Sequence, residues 1–361
     1  MSVPGDPVTA GRSGEGASAD DVSVTFVVAD PEGTLAGVHL LQEVVTTGQL
    51  DFSRAEAGWR LVRDRPPVHR LEYLLELRYA DGGTKVVTDP ANPRQVAGAF
   101  GPKSVVEFPG YAPPAWLSAP GPPQDDTSAE LEVPVPDGDA MISVRIWQPA
   151  GVGPDTPLPL LVVHDGPEYA ALASLTHYLA AGVAGGWLPR LRAALLAPGP
   201  RNNWYSANPR YSRALCRVVL PSLADRLPTT VRVGMGTSLG ALAMLHAHCR
   251  YPESFGALFL QSASFFTQVL DSQERRFPYF RRITRFTAQV HDGTLPGRRI
   301  PVALTCGTVE ENAANNRRMA GTLAVHGYPT DLSEVADAHN YTAWRDALDP
   351  YLTRLLQQVL I

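Results

Sequence analysis

A serine, a histidine and a pair of glutamates are spaced along this 361-residue chain as a nucleophile, a base and an acid would be. Ser238 sits in Gly236-Thr237-Ser238-Leu239-Gly240, between an apolar run, Val231–Met235, and an apolar helical stretch, Ala241–His248. The first reads as a short buried strand and the second as a helix. A serine on so tight a strand-to-helix turn lifts its hydroxyl clear of the backbone, and flanking glycines let neighbouring backbone pass without side chains. Such a hydroxyl is a nucleophile once a base takes its proton.

The partners are sought on loops that follow later strands, in the order serine, acid, histidine. After the strand candidate Val302–Cys306 comes Gly307-Thr308-Val309-Glu310-Glu311-Asn312. Either glutamate can serve as the acid. Glu310 is nearer the strand end and is preferred, whereas Glu311 suits the first turn of a helix over Ala313–Val325. The last strand candidate, Asp331–Val335, leads into Ala336-Asp337-Ala338-His339-Asn340. An imidazole titrating near neutrality can accept and return the serine proton, so His339 is the candidate base. His246 and His248 fall within the helix after Ser238 and read as packing or surface residues. His164 ends a strand and is read as shaping the site. An oxyanion formed on the substrate needs two N–H donors. The residue after the nucleophile, Leu239, is one; Gly166, in His164-Asp165-Gly166-Pro167, is the other, because Pro167 has no N–H.

The elements that must hold these residues change in character along the chain. Strand signals dominate residues 22–110: Val22–Val28, Val38–Leu41, Gly58–Val62 and the longest, Arg70–Tyr79, which ends at Asp81-Gly82-Gly83. They predict a β-sandwich. Residues 1–21, rich in Gly, Ser, Ala and Asp, read as a disordered tail without the apolar core of a signal peptide. Residues 111–127 are rich in proline and read as a stiff linker outside either core. From 128 to 361, nearly continuous apolar runs (Leu158–Val163, Ala193–Ala197, Val231–Met235, Ala257–Leu260, Val302–Cys306) alternate with helical stretches, and the pair Leu131–Val135 and Met141–Trp147 precedes them. That alternation predicts a mostly parallel sheet covered by helices, an α/β fold.

Composition narrows the function classes. Hydrophobic residues make up 44% of the chain and net charge is −5, so no global field favours nucleic acid or an anionic membrane. No apolar run has the length of a membrane span. Cys216, Cys249 and Cys306 are odd in number and widely spaced, which suggests reduced thiols and a cytoplasmic setting. No metal-ligand spacing is present, and no cofactor is needed for serine chemistry. Between the strand Ala257–Leu260 and the acid, arginines alternate with aromatics from Glu274 to Phe286. Arg275 and Arg276 are candidates to hold an anionic, aromatic ligand; the competing reading is an amphipathic helix with its arginines in solvent.

Several of these strings resemble the enterochelin esterase family, the siderophore-hydrolysing branch of the α/β-hydrolases. They are Val162-Val163-His164-Asp165-Gly166, Gly236–Leu242, Cys306–Asn312, the Arg201-Asn202-Asn203-Trp204 segment and His339-Asn340-Tyr341-Thr342-Ala343-Trp344-Arg345. In the N-terminal part, Asp89-Pro90-Ala91-Asn92-Pro93, Phe100–Ser104 and Pro109-Gly110-Tyr111 are similar to the sandwich domain of these esterases. The resemblance implies an α/β-hydrolase preceded by an early-Ig-like domain that helps cover the active site. It carries over His339 as the base and implies substrate contacts from Asp165, Arg201 and Trp344. Two departures stand out: Asp337-Ala338 occupy positions where the family often has two glycines, and Pro167 stands where related acyltransferases supply an oxyanion N–H. The expected activity is serine-dependent hydrolysis of an ester or lactone, that of a ferric siderophore of the enterobactin type first, with iron arriving on the substrate. A general carboxylesterase, a feruloyl-type esterase or an acyltransferase is the alternative. A glucan- or partner-binding protein with a vestigial hydrolase part is the third reading, and the intact Ser238 and His339 argue against it.

Overall fold

Strand alternation in the N-terminal part becomes two facing sheets in the computed structural model, which describes residues 16–44, 48–120, 129–134, 141–295 and 298–360. One sheet runs in the order β1 (Ala17–Ala19), β2 (Ser23–Ala29), β5 (Gly58–Asp64), β4 (Ser53–Ala55). The other runs β3 (Leu35–Gln42), β6 (Arg70–Tyr79), β9 (Lys103–Glu107), β8 (Gln95–Val96), with β7 (Thr84–Val87) also paired to β6. Among the described residues these strands pair antiparallel. Alternate residues point inward, as a period of two requires: Val24, Phe26 and Val28 from β2 meet Val38, Leu40, Leu71, Tyr73 and Leu75 in one apolar core. Asp89 closes the core by accepting the Tyr73 hydroxyl at 2.6 Å.

The second part holds an eight-stranded sheet: β10 (Ala129–Pro134), β11 (Met141–Trp147), β13 (Arg192–Leu196), β12 (Leu158–Val163), β14 (Thr229–Thr237), β15 (Ala257–Gln261), β16 (Val302–Gly307), β17 (Thr330–Val335). β10 and β11 are antiparallel, whereas β13, β12, β14, β15 and β16 run parallel to one another. The continuous apolar strands are buried on both faces because helices cover each side. The helices are α1 (Gly166–Leu172), α2 (Leu175–Ala184), α3 (Arg201–Tyr205), α4 (Pro209–Ala214), α5 (Leu220–Ala224), α6 (Leu239–Arg250), α7 (Phe280–His291), α8 (Ala313–Val325), α9 (Tyr341–Asp346) and α10 (Thr353–Leu360). This is an α/β-hydrolase-type sheet preceded by an all-β sandwich.

Contacts divide the chain into two compact units, and the division does not follow the sequence simply. Met1–Pro113 forms one unit together with two short segments from far downstream, Gly307–Glu310 and Ala336–Asn340; the remainder forms the other.

Two expectations are corrected. The tail expected over residues 1–21 includes a strand: Ala17–Ala19 pair with Val24–Phe26, because small residues fit an edge position beside β2. Residues 1–15 lie outside the described residues. The linker expected over 111–127 is not wholly outside a core. Ala115–Ser118 forms a 3₁₀ turn whose Trp116 is buried, with its ring centroid 5.4 Å from that of Tyr178. An indole offers more apolar surface than neighbouring prolines can keep in water. Residues 121–128 are outside the described residues.

Candidate active site

Ser238, the candidate nucleophile, lies between the end of β14 and the start of α6. Ser238 has φ 53° and ψ −122°, a conformation that costs a non-glycine residue about 1–3 kcal/mol. The glycines on either side are there for approach. A Cβ on Gly236 would lie 2.6 Å from the Gly240 carbonyl, and one on Gly240 would lie 3.1 Å from an Asp165 carboxylate oxygen. The strained turn is fixed by backbone, with the Ser238 N–H donating to the Gln261 carbonyl at 2.9 Å. The Ser238 hydroxyl is 3.1 Å from that of Ser264, whose N–H donates to the Ser238 carbonyl at 3.1 Å. Sequence reasoning missed Ser264; its one signal was its place just after β15, at a strand end.

Leu239 and Gly166 share a property that suits an oxyanion. Each is the first residue of a helix, α6 and α1 respectively. The first N–H groups of a helix have no partner inside it, and the helix dipole favours negative charge there. Gly166 must lack a side chain because a Cβ would lie 2.4 Å from the Leu195 Cα. Pro167 costs nothing at the second helical position, where its missing N–H would have no intrahelical carbonyl.

Behind these residues lies a buried polar brace. The His164 Nδ1–H donates to the Gly240 carbonyl at 2.8 Å, so its Nε2 accepts the Tyr211 hydroxyl at 2.8 Å. Burial pushes the His164 imidazole down to about 4, which keeps it neutral. Asp165 accepts two bonds from Arg201, both 2.8 Å, in a bidentate pair. The Asp165 carboxylate, expected to contact substrate, is buried at 1% exposure and engaged by Arg201. Arg201 keeps a partly exposed side chain.

Glu310 and His339, the candidate acid and base, lie on the turns after β16 and β17. Glu310 accepts the Gly307 N–H on Oε1 at 2.7 Å and His339 Nδ1–H on Oε2 at 2.7 Å. A neutral imidazole donating from Nδ1 carries its lone pair on Nε2. Of the two candidate acids, the structure brings Glu310 and not Glu311 to the histidine. Glu311 is exposed and accepts from Gln273 at 3.4 Å. Gly307 is again required by close approach: a Cβ there would lie 2.2 Å from the Asp337 carbonyl oxygen.

The remaining expectations fare unevenly. Trp344, expected to contact substrate, packs in the core of the second part. It is buried, and its indole N–H donates to the Ser262 hydroxyl at 2.9 Å. Arg275 and Arg276 end a 3₁₀ turn over Ser272–Arg276 and are exposed. Beyond them α7 is amphipathic, with Arg282 bonded within the protein rather than left in solvent. Phe280, Ile283, Phe286 and Val290 line the buried face of α7, while Arg282 donates to the Ser206 and Asn203 carbonyls and lies 4.6 Å from the Tyr279 ring centroid. His246 and His248 are packing residues, bonded to Ser212 and to the Arg298 carbonyl. Among the described residues no three His, Cys, Asp or Glu side chains are grouped as a metal site would need. No described helix is long and apolar enough to cross a membrane, and Cys216, Cys249 and Cys306 are buried and form no disulfide with one another.

Comparison with known proteins sets the chain among esterases. Residues 139–355 match the family model described as "Putative esterase". A search of curated proteins finds no match. Among solved structures, the enterobactin esterase of Shigella flexneri, in the presence of enterobactin, superposes with TM-score 0.76 at 19% identity, covering 95% of this chain and 96% of that one. The ferric enterobactin esterase of Salmonella typhimurium gives 0.75 at 20% identity, covering 94% of each chain. A ferulic acid esterase gives 0.52 at 15% identity, covering 64% of this chain and 98% of that one. With the family model spanning more than half of its length, the chain belongs to the esterase family and is a carboxylic ester hydrolase that shares its fold, sandwich included, with the enterobactin esterases.

Proposed function

We propose that this chain is a serine esterase in which Ser238, Glu310 and His339 form the catalytic triad, and that it opens the ester bonds of a cyclic, anionic siderophore of the enterobactin type to release iron in the cytoplasm. The observation that carries the triad is the 2.7 Å bond between His339 and Glu310, placed on the turns after β16 and β17, downstream of a strained serine after β14. In this mechanism His339 Nε2 takes the Ser238 proton as Oγ attacks the carbonyl carbon. The N–H groups of Leu239 and Gly166 hold the oxyanion of the tetrahedral intermediate. His339 returns the proton to the departing alkoxide, and water, deprotonated by the same imidazole, then clears the acyl-enzyme. Glu310 keeps the imidazole in the working tautomer and offsets its positive charge.

Two features support the siderophore over another ester. The fold likeness to the enterobactin esterases runs through the whole chain, whereas the ferulic acid esterase has a counterpart for 64% of it. The exposed Arg275 and Arg276 place positive charge on the segment that follows Ser264, suited to drawing in an anionic ligand. Residues 22–110 are read as the sandwich domain and 128–361 as the catalytic one. Steady-state kinetics on ferric enterobactin, its linear trimer, a feruloyl ester and short p-nitrophenyl esters test the reading. A kcat/KM on the ferric macrocycle at least about tenfold above the feruloyl ester is expected; the reverse order would make this a feruloyl-type esterase.

A further inference from the structure

The five residues that carry His339 have no regular structure of their own, so something else must hold them. In the unit they share with the sandwich, the holding groups come from the start of β6. The His69 N–H donates to the Ala336 carbonyl at 2.8 Å. Ala338 is buried in the apolar core of the sandwich. Between them, Asp337 accepts the Ala338 N–H on Oδ1 at 2.7 Å and the Asn340 amide at 3.2 Å, tying the loop to itself. Its other oxygen, Oδ2, lies 3.7 Å from Nη1 of Arg70.

Arg70 is the unusual member. Its side chain is 2% exposed, among the most deeply buried of the large side chains, and it stands between two carboxylates. Nη2 donates to Glu72 at 3.4 Å while Nη1 faces Asp337, and the guanidinium lies 5.5 Å from the Tyr111 ring centroid. Lys103 reaches the outer oxygen of Glu72 at 4.0 Å, so Asp337 depends on Arg70 for its cation. Burial raises both carboxyls, Asp337 to about 6, which measures how poorly water supports them. Buried ion groups often stabilise no more than apolar substitutes of similar volume, and their best-attested use is to fix register. Here the register fixed is that of the loop one residue before His339. The loop is also pressed on the end of β16, where the Asp337 carbonyl leaves no room for a side chain on Gly307. A displaced Asp337 therefore disturbs both the imidazole and the turn that presents Glu310.

We propose that Arg70, from the sandwich rather than the hydrolase sheet, is a positioning residue for His339, acting through Asp337. The proposal rests on the Ser238–His339–Glu310 reading above. It is tested on the full chain with Arg70→Met, Arg70→Lys, Asp337→Asn and the Arg70→Met/Asp337→Asn double variant, assayed on p-nitrophenyl butyrate with urea midpoints recorded beside the kinetics. Arg70→Met is expected to lower kcat about 10- to 100-fold, as a misplaced catalytic group does, with KM within about threefold. Labelling of Ser238 by a fluorophosphonate slows in proportion, Arg70→Lys recovers part of the loss, and the double variant is no worse than Arg70→Met because one path has been cut twice. Should Arg70→Met fail to fold, Asp337→Asn and Arg70→Lys carry the same comparison. A kcat within about twofold of wild type, or losses that multiply in the double variant, would overturn the proposal. His339→Ala separates the two levels: full turnover there removes the triad reading and this one with it, whereas loss there with intact Arg70 variants removes only the positioning role.

Discussion

Glu310 holds His339 with one carboxylate oxygen and the amide of Gly307, three residues back in its own turn, with the other, each at 2.7 Å. The carboxylate is thus oriented by the strand end before it is asked to orient anything else. Its neighbour Glu311, one peptide away, faces solvent.

That contrast gives a direct comparison of variants. Glu310→Gln places an amide where the imidazole N–H needs an acceptor and favours the wrong tautomer, so kcat on a p-nitrophenyl ester should fall on the order of 10²–10⁴. Glu311→Gln should stay within about twofold of wild type, as exposed substitutions generally do. Equal losses in the two variants would take the triad acid away from Glu310.

The backbone at Ser238 predicts a trade between stability and activity. Its φ of 53° is strained for serine but ordinary for glycine. Ser238→Gly and Ser238→Ala should both be inactive, while the glycine variant melts about 1–2 °C above the alanine variant, reflecting about 1 kcal/mol of relieved strain. Thermal unfolding followed by circular dichroism reads the difference. An alanine variant that melts at or above the glycine variant would show that the turn stores no strain.

Three buried histidines set the response to acid. Burial lowers His164 to about 4, His246 to about 3 and His248 to about 4, all below the ordinary value of 6.5. Between pH 6.5 and about 4 the unfolded chain binds protons that these side chains refuse in the folded state. Their contribution to stability is full above pH 6.5 and is lost as pH falls through that window. Asp337 works in the opposite sense: raised to about 6, it weakens the fold as pH rises through that value. Urea unfolding at a series of pH values should therefore show stability declining from pH 6.5 towards 4. His246→Asn, which preserves an acceptor for Ser212, should flatten the decline by about 1.4 kcal/mol per pH unit, one proton's worth. An unchanged slope would mean that His246 is protonated in the fold.

Much of this was legible in the residues because the signals were local. The period of two in β2 and β6, the apolar runs of the parallel sheet and the Gly-x-Ser-x-Gly turn each specify their own stretch of backbone. What could not be read depends on partners distant in sequence. Ala17–Ala19 becomes a strand only because β2 offers an edge, and Trp116 becomes core only because Tyr178 lies beside it. The Asp165 carboxylate is engaged by Arg201, 36 residues later, a pairing that neither segment reveals alone. The choice between Glu310 and Glu311 turns on the direction of one turn, which adjacent glutamates in a sequence do not reveal.

The three-segment composition of the N-terminal unit bears on how enzymes of this kind diversify. Exchange of whole modules between relatives is an economical evolutionary route to new specificity when the modules are independent. Here the histidine and its carboxylate travel with one gene segment and fold with another, so a borrowed sandwich must match the acceptor's loops at Arg70 and Ala338 before it can be inherited without loss. Lineages carrying this arrangement are expected to change the two parts in step.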